Sequence, residues 1–431
     1  MRSILLDILY LVFGLPFFLL KALLVPRVRA GWSERFGAVP DLPGGHRLWI
    51  HCASVGEALL ARTLLAGLEA AYPDAEIVFS TVTRTGRQTV ETHFPGHRVF
   101  YFPLDLSFVV RKVLNSIKPT AVILVELEVW PNFLGVAERC EVPVVVVNGR
   151  ITERSARRYR RLGGLFRSTF RRVRHYAVQN TEYASRLAAL GVSRDRITVA
   201  GTMKYDTVAT EIEPASAAAY RRELRLREAD TVLLGGCTHP GEDELLIDYA
   251  KCRQASGAPL RLVLAPRHSE RCEAVERLLR AAGLTPVRKT ALDAGTAPAG
   301  FEDGPHAILV DTTGELARLY AVATVVFVGG SLVEHGGQNM IEPAALGKAV
   351  VFGPHTWNFR ETVDLLVAND AAVQIGGADE LPATLDALLA DPARRDRLGA
   401  RARALIERSK GATERNVSAV RPFLDVSEKE T

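Results

Sequence analysis

Two series of short, uninterrupted apolar runs, each separated from the next by a stretch with helical spacing, limit the fold of this 431-residue chain most strongly. The first series is 48–51, 76–81, 98–102, 120–125, 143–148 and 176–179; the second is 231–235, 260–264, 307–310, 324–328 and 349–352. Runs such as TVVFV (324–328) lack polar alternation, the pattern of strands buried on both faces. Strands spaced by helices build βαβ units and parallel sheets. The chain is too long for one typical core, so two doubly wound α/β domains are expected. Residues 207–230, with Pro214 and an Ala-rich charged stretch, lack a strand and are expected to carry the crossover. Clefts between such domains are the usual home of small-molecule sites.

Composition narrows the classes. At 48% hydrophobic and 24% charged, the chain is an ordinary globular one. Its cysteines, Cys52, Cys140, Cys237, Cys252 and Cys272, are odd in number and form no CxxC pair. That favours a reduced compartment over a disulfide framework or zinc ribbon. His93 and His97 flank a Phe-Pro-Gly that would break any helix bringing them together as metal ligands. The net charge of +5 is uneven: between residues 150 and 174 ten arginines face one acidic residue, Glu153. Such an excess suits phosphates or an anionic membrane surface, and equally a solvated basic helix face. No aromatic interleaving or known module supports nucleic-acid binding.

Residues 4–24 form an apolar run about one bilayer long, interrupted by Asp7, Gly14, Pro16 and Lys21. Only Arg2 precedes it and no small-residue cleavage site follows, so an uncleaved anchor, spanning or interfacial, is preferred to a signal peptide. Arg27, Arg29 and Arg35 follow and mark the cytoplasmic side.

The run 324–328 leads into GGSLVEHGGQNMIEPAALGKAVVFGPHTWNFR, residues 329–360. Glycines there sit at a strand's C-terminal end, where open α/β sheets bind ligands, and let backbone N–H groups approach an anion. A helix starting near Gln338 would aim its positive end into the same space. An ordinary glycine-rich turn has the same spacing. No GxGxxG follows the first strand, and Gly347-Lys348 is followed by Ala349, so the dinucleotide and P-loop fingerprints are missing.

Candidate chemistry gathers at other strand ends. HCASVGE (51–57) places Glu57 on the first turn of a helix, as a general base or as the partner of Ser54 in a capping box; the helix dipole favours its anionic form. VELEVWPN (125–132) puts Glu126 and Glu128 on one side of an extended segment, which demands either a function or a cationic partner. GTMKYD (201–206) supplies Lys204, a phosphate-facing cation or a surface lysine. APRH (265–268) supplies the Arg267 fork, and DTTGEL (311–316) the Gly314 turn.

In the order WSERFG, HCASVGE, ELEVWPN, GTMKYD, APRH, TGEL, GGSLVEHGGQNMIEP and GPHTWNF, these motifs make nearly the whole chain resemble the 3-deoxy-D-manno-octulosonic acid (Kdo) transferases of lipopolysaccharide biosynthesis. The resemblance implies a GT-B glycosyltransferase, an α/β fold of two doubly wound Rossmann-like domains facing a cleft, plus an N-terminal membrane anchor. The expected parts are an anchor over 1–28, an acceptor domain over 29–206, a linker over 207–230 and a CMP-Kdo domain over 231–431. Implied too is a metal-independent, inverting enzyme without cofactor, at the cytoplasmic face of the inner membrane, moving Kdo from CMP-Kdo to a sugar hydroxyl of a lipid A precursor (lipid IVA). By motif, Glu57 corresponds to the general base, and Glu126 and Lys204 to residues supporting the transition state. The CMP contacts fall on Pro266, Arg267, Gly314, Glu315, Leu316, Asn339, Met340, Ile341 and Glu342. Gln338 and Met340 stand where His and Pro are frequent, and Cys52 where a small apolar residue is. A GT-B enzyme using a UDP-sugar and another lipid-linked acceptor is the alternative.

Overall fold

The apolar runs become the strands of two all-parallel sheets in the computed structural model, which describes residues 7–8, 10–14, 16, 31–258 and 260–425. Most of the expected anchor over 1–28 lies outside the described residues, and among those described no helix is long and apolar enough to cross a membrane.

The first sheet contains β1 (Arg47–Cys52), β2 (Glu76–Thr81), β3 (Arg98–Tyr101), β4 (Ala121–Val125), β5 (Val144–Gly149), β6 (His175–Val178) and β7 (Ile197–Val199). Their order is β3-β2-β1-β4-β5-β6-β7. Side chains alternate across the sheet, so Leu48, Ile50 and Cys52 of β1 enter one core with Leu64 and Leu68 of the helix Val55–Ala71. Trp49 enters the opposite core among Phe100, Phe102 and Phe133, and its indole N–H finds the Ser80 hydroxyl at 2.7 Å, which satisfies the one polar atom of a fully buried ring.

The second sheet contains β8 (Val232–Thr238), β9 (Arg261–Pro266), β10 (Thr285–Arg288), β11 (His306–Leu309), β12 (Val325–Val328), β13 (Ala349–Phe352) and β14 (Val373–Gln374). They run in the order β10-β11-β9-β8-β12-β13-β14. Each sheet reverses its winding once, between β1 and β4 in the first and between β8 and β12 in the second. At such a switch point the loops above the strands' carboxyl ends diverge and leave a crevice, where open α/β sheets hold ligands.

The chain divides into two compact units, one running to Thr207 and resuming at Ser409, the other covering Val208–Arg408. This differs from the expected split in two places. The C-terminal helix Ala412–Val420 joins the first unit, not a domain over 231–431, because Val417, Val420 and Leu424 complete the core beneath β1. The expected linker over 207–230 carries the helix Pro214–Glu223, whose buried Tyr220 ties it to the second unit through Glu315.

In the arginine-rich segment, Glu153 opens the helix Glu153–Arg161 and pairs with Arg157 at 3.1 Å, Arg160 at 3.5 Å and Arg186 at 3.2 Å. One carboxylate shared by the exposed Arg157 and Arg160 and the largely buried Arg186 leaves the segment strongly basic.

Candidate active site

In the first unit the carboxylates meet at the switch point. Glu57 follows the end of β1 on the first turn of the helix Val55–Ala71, and Glu126 follows the end of β4, the adjacent strand. The Ala53 N–H donates to Glu57 Oε2 at 2.7 Å, and the Ser54 hydroxyl donates to Oε1 at 2.9 Å. Despite these donors the Glu57 pKa is lifted to about 7: burial raises it most, and the negative charges of Glu126 and Glu128 add to the rise. The expectation that the helix start would favour its anionic form is thereby corrected, since burial and two like charges outweigh one turn of helix.

Glu128 is itself raised, by burial first and by Glu126 second, although the Trp130 indole N–H donates to it at 3.1 Å. Neither carboxylate has a cationic ion-pair partner among the described residues, so the arginine pairing held open for them is not found. Glu126 also adopts a left-handed backbone, φ 62°, while its N–H keeps the sheet ladder by donating to Val147 O at 2.9 Å. Non-glycine residues in that region are strained, and such strain concentrates at functional edges. Lys204 lies on the turn Met203–Tyr205, which packs against the helix that carries Glu57.

In the second unit, β9, β11 and β12 end at the expected nucleotide motifs. Arg267 is exposed just past β9, its N–H bound to Thr238 O at 3.0 Å. Gly314 holds φ 86° with open space beside it. The Glu315 side chain is already committed: it accepts from Tyr220 OH at 2.5 Å and from the Thr312 hydroxyl, and Lys289 lies 3.7 Å away. Burial works against ionisation there, yet the two hydroxyls and the lysine hold the carboxyl below its ordinary value. Residues 314–316 therefore offer a ligand mainly their backbone. Met340 and Ile341 are core residues, 0% and 2% exposed, and can do likewise only through the main chain. Glu342 is raised by burial and receives the Asn339 amide at 2.8 Å.

The glycine loop differs from expectation. It does cradle an anion, but the anion is the protein's own Glu242, fully buried at the start of the helix Glu242–Ala255. Oε2 accepts the N–H groups of His239 at 2.9 Å and Gly330 at 2.7 Å; Oε1 accepts those of Ser331 and Leu332, both at 2.9 Å. Four charge-assisted bonds satisfy both oxygens, so these amides are unavailable to a phosphate. The short helix begins at Ile341 rather than near Gln338, runs only to Ala345, and its first N–H is taken by Asn339 Oδ1 at 3.0 Å. Around the same loop, the His239 ring lies 4.0 Å from that of His335 and 6.4 Å from that of His268. Burial, with His335 and the neighbouring arginines adding, lowers His239 to about 4, so it is neutral at physiological pH and shares a hydrogen bond with the Gln338 amide at 3.1 Å. Glu242 and His239 were missed from sequence, because the loop that Glu242 binds lies 88 to 90 positions away.

Two parallel-sheet α/β units of this topology define the GT-B fold. A crystal structure of a glycosyltransferase from Rickettsia africae, 9% identical, shares this fold with a TM-score of 0.59, covering 90% of this chain and 100% of its own. The family profile described as 3-deoxy-D-manno-octulosonic-acid transferase (kdotransferase) matches residues 30–207. The 3-deoxy-D-manno-octulosonic acid transferase of Haemophilus influenzae is 32% identical over 405 residues, 93% of each chain, and that of Bordetella pertussis is 33% identical over 406, 90% of each. The chain belongs to the Kdo transferase family and is a Kdo glycosyltransferase.

Proposed function

We propose that the protein is an inverting transferase that moves Kdo from CMP-Kdo to a sugar hydroxyl of a lipid A precursor. The observation that carries this reading is the Glu57 carboxylate, oriented by Ala53 and Ser54 at the first sheet's switch point and lifted to about 7, the range a general base needs near neutral pH. Glu57 takes the hydroxyl proton as the acceptor oxygen bonds to the anomeric carbon. On the opposite face the bond from that carbon to the phosphate oxygen breaks, and CMP departs with the electron pair. Glu126 and Lys204 support the developing charge, and Arg267 meets the leaving phosphate. The backbone at 314–316 and at 339–341, together with Pro266 and the Glu342 carboxylate, holds the nucleoside. The arginine-rich segment and the N-terminal apolar run keep the enzyme at the cytoplasmic face of the inner membrane, beside its phosphorylated acceptor.

Donor choice tests this reading. Purified full-length chain is supplied with a defined lipid A precursor and radiolabelled CMP-Kdo or UDP-sugars, and products are weighed by mass spectrometry. Transfer from CMP-Kdo alone is expected. Transfer from a UDP-sugar alone would defeat the proposal in favour of another GT-B activity.

A further inference from the structure

The loop that carries Lys204 is held from the far end of the chain. Asp206 accepts the N–H groups of Gly411 at 2.7 Å and Thr413 at 2.5 Å, capping the C-terminal helix Ala412–Val420. From that helix Arg415 Nε donates to Ala200 O at 2.8 Å, just before the loop. Asn416, fully buried, accepts the Asn148 N–H at 2.8 Å through Oδ1 and anchors its own amide on Ala412 O at 2.7 Å. Asn148 in turn accepts the Met203 N–H at 3.1 Å, one residue before Lys204. Met203 and Tyr205 are both buried, so Lys204 sits between two fixed neighbours.

Asn148 is an unusual link. It ends the regular part of β5 with φ 52°, and its fully buried Nδ2 has no hydrogen-bond partner. A strained backbone and an orphaned buried donor each disfavour the fold, and a fold keeps such features where surrounding structure overrides them. What overrides them here is the pair of bonds that tie Met203 to Asn148 and Asn148 to Asn416.

We propose that Asn416 and Asp206 make the C-terminal helix a strap that positions Lys204 for transfer, with Asn148 as the connecting link. This rests on the reading of Lys204 as a residue that supports the transition state. These are positioning residues, so their loss acts on turnover more than on donor binding.

The test uses the full-length chain. Kdo transfer is measured for Asn416→Ala, Asn416→Asp and Lys204→Ala, with hydrogen exchange followed by mass spectrometry on the first two. Asn416→Asp keeps the oxygen that receives the Asn148 N–H. Asn416→Ala is expected to lower kcat roughly 10- to 100-fold with donor KM within about twofold, as misplacement of a group near the chemistry does. Exchange at amides 203–206 should quicken while the sheet stays protected, and Asn416→Asp, which keeps the Asn148 bond but loses the donor to Ala412 O, should recover part of kcat. A normal kcat in Asn416→Ala, or unchanged exchange at 203–206, overturns the strap when Lys204→Ala is slow. An unchanged rate in Lys204→Ala overturns the reading of Lys204 and the strap with it. If Asn416→Ala fails to fold, Asp206→Asn, which keeps one of the two carboxylate oxygens, carries the same comparisons.

Discussion

Ser54 and Glu57 bond to each other in both directions. The Ser54 hydroxyl donates to Glu57 Oε1 at 2.9 Å and accepts the Glu57 N–H at 3.4 Å. A helix cap and a general base are rival readings of HCASVGE in the sequence; the cap forms, and the same carboxyl is the one proposed as the base. The cap fixes where the carboxylate points, while burial and the nearby Glu126 and Glu128 raise its proton affinity.

That raised affinity predicts the pH dependence of transfer. A base with a pKa of about 7 is mostly protonated at pH 6 and mostly free at pH 8, so kcat/KM climbs between about pH 6 and 8 and then levels. Glu128→Gln removes one of the two like charges, the smaller contributor, and is expected to move the acid limb downward by less than about one unit. A pH–rate series on both proteins measures this, and an acid limb left in place by Glu128→Gln would contradict it.

Glu57→Gln should separate activity from stability. General-base removal lowers kcat by about 10²- to 10⁴-fold. The folded pKa of about 7 lies above the ordinary 4.5, so the fold favours the protonated acid. Stability from this group is present below pH 4.5 and is lost as pH rises from 4.5 through 7. The neutral glutamine escapes that loss. Its unfolding midpoint should exceed that of the parent by several degrees at pH 8 and by much less at pH 5, as read by thermal melts at the two pH values.

How much of this was legible follows strand position. The central strands announce themselves as apolar runs because both their faces are buried: 76–81 and 349–352 match β2 and β13 residue for residue, and β12 begins one residue inside 324–328. The strands that escaped, β7, β10 and β14, all lie at sheet edges. Their sequences, ITV, TPVR and VQ, are short or partly exposed, and an edge strand needs no apolar run. The site divides the same way. The candidates Glu57, Glu126 and Arg267 stand beside strand ends, where spacing marks them, whereas Glu242 and Asn416 act through bonds to residues 88 and 268 positions away. Local spacing carries no trace of such pairings.

Glu242→Gln tests the latch on the glycine loop. The amide offers one acceptor oxygen where the carboxylate offers two and turns its own N–H₂ toward backbone donors. Loss of charge-assisted bonds with unsatisfied buried donors is expected to cost about 3 kcal/mol in urea denaturation. If the loop contributes to donor binding, donor KM rises about tenfold or more as well. Lower stability with an unchanged donor KM would remove the loop from the donor site.

Two glycines of the same unit should respond in opposite ways to alanine. At Gly329 a Cβ would lie 2.3 Å from Cys237 O and 2.6 Å from Thr238 Cα, both backbone atoms of the adjacent strand β8. No side chain can swing aside, so β8 or β12 must shift, and Gly329→Ala is expected to cost about 3 kcal/mol. At Gly314 nothing lies within 4 Å of the same position, and only the φ of 86° opposes a side chain, a penalty of about 1–2 kcal/mol. A methyl there projects into the open space that the proposed nucleoside occupies. Gly314→Ala should therefore remain folded and weaken CMP binding about tenfold, whereas Gly329→Ala should lose stability first. Urea denaturation with CMP titration of each variant separates them, and normal CMP affinity in Gly314→Ala would move the nucleoside away from this turn.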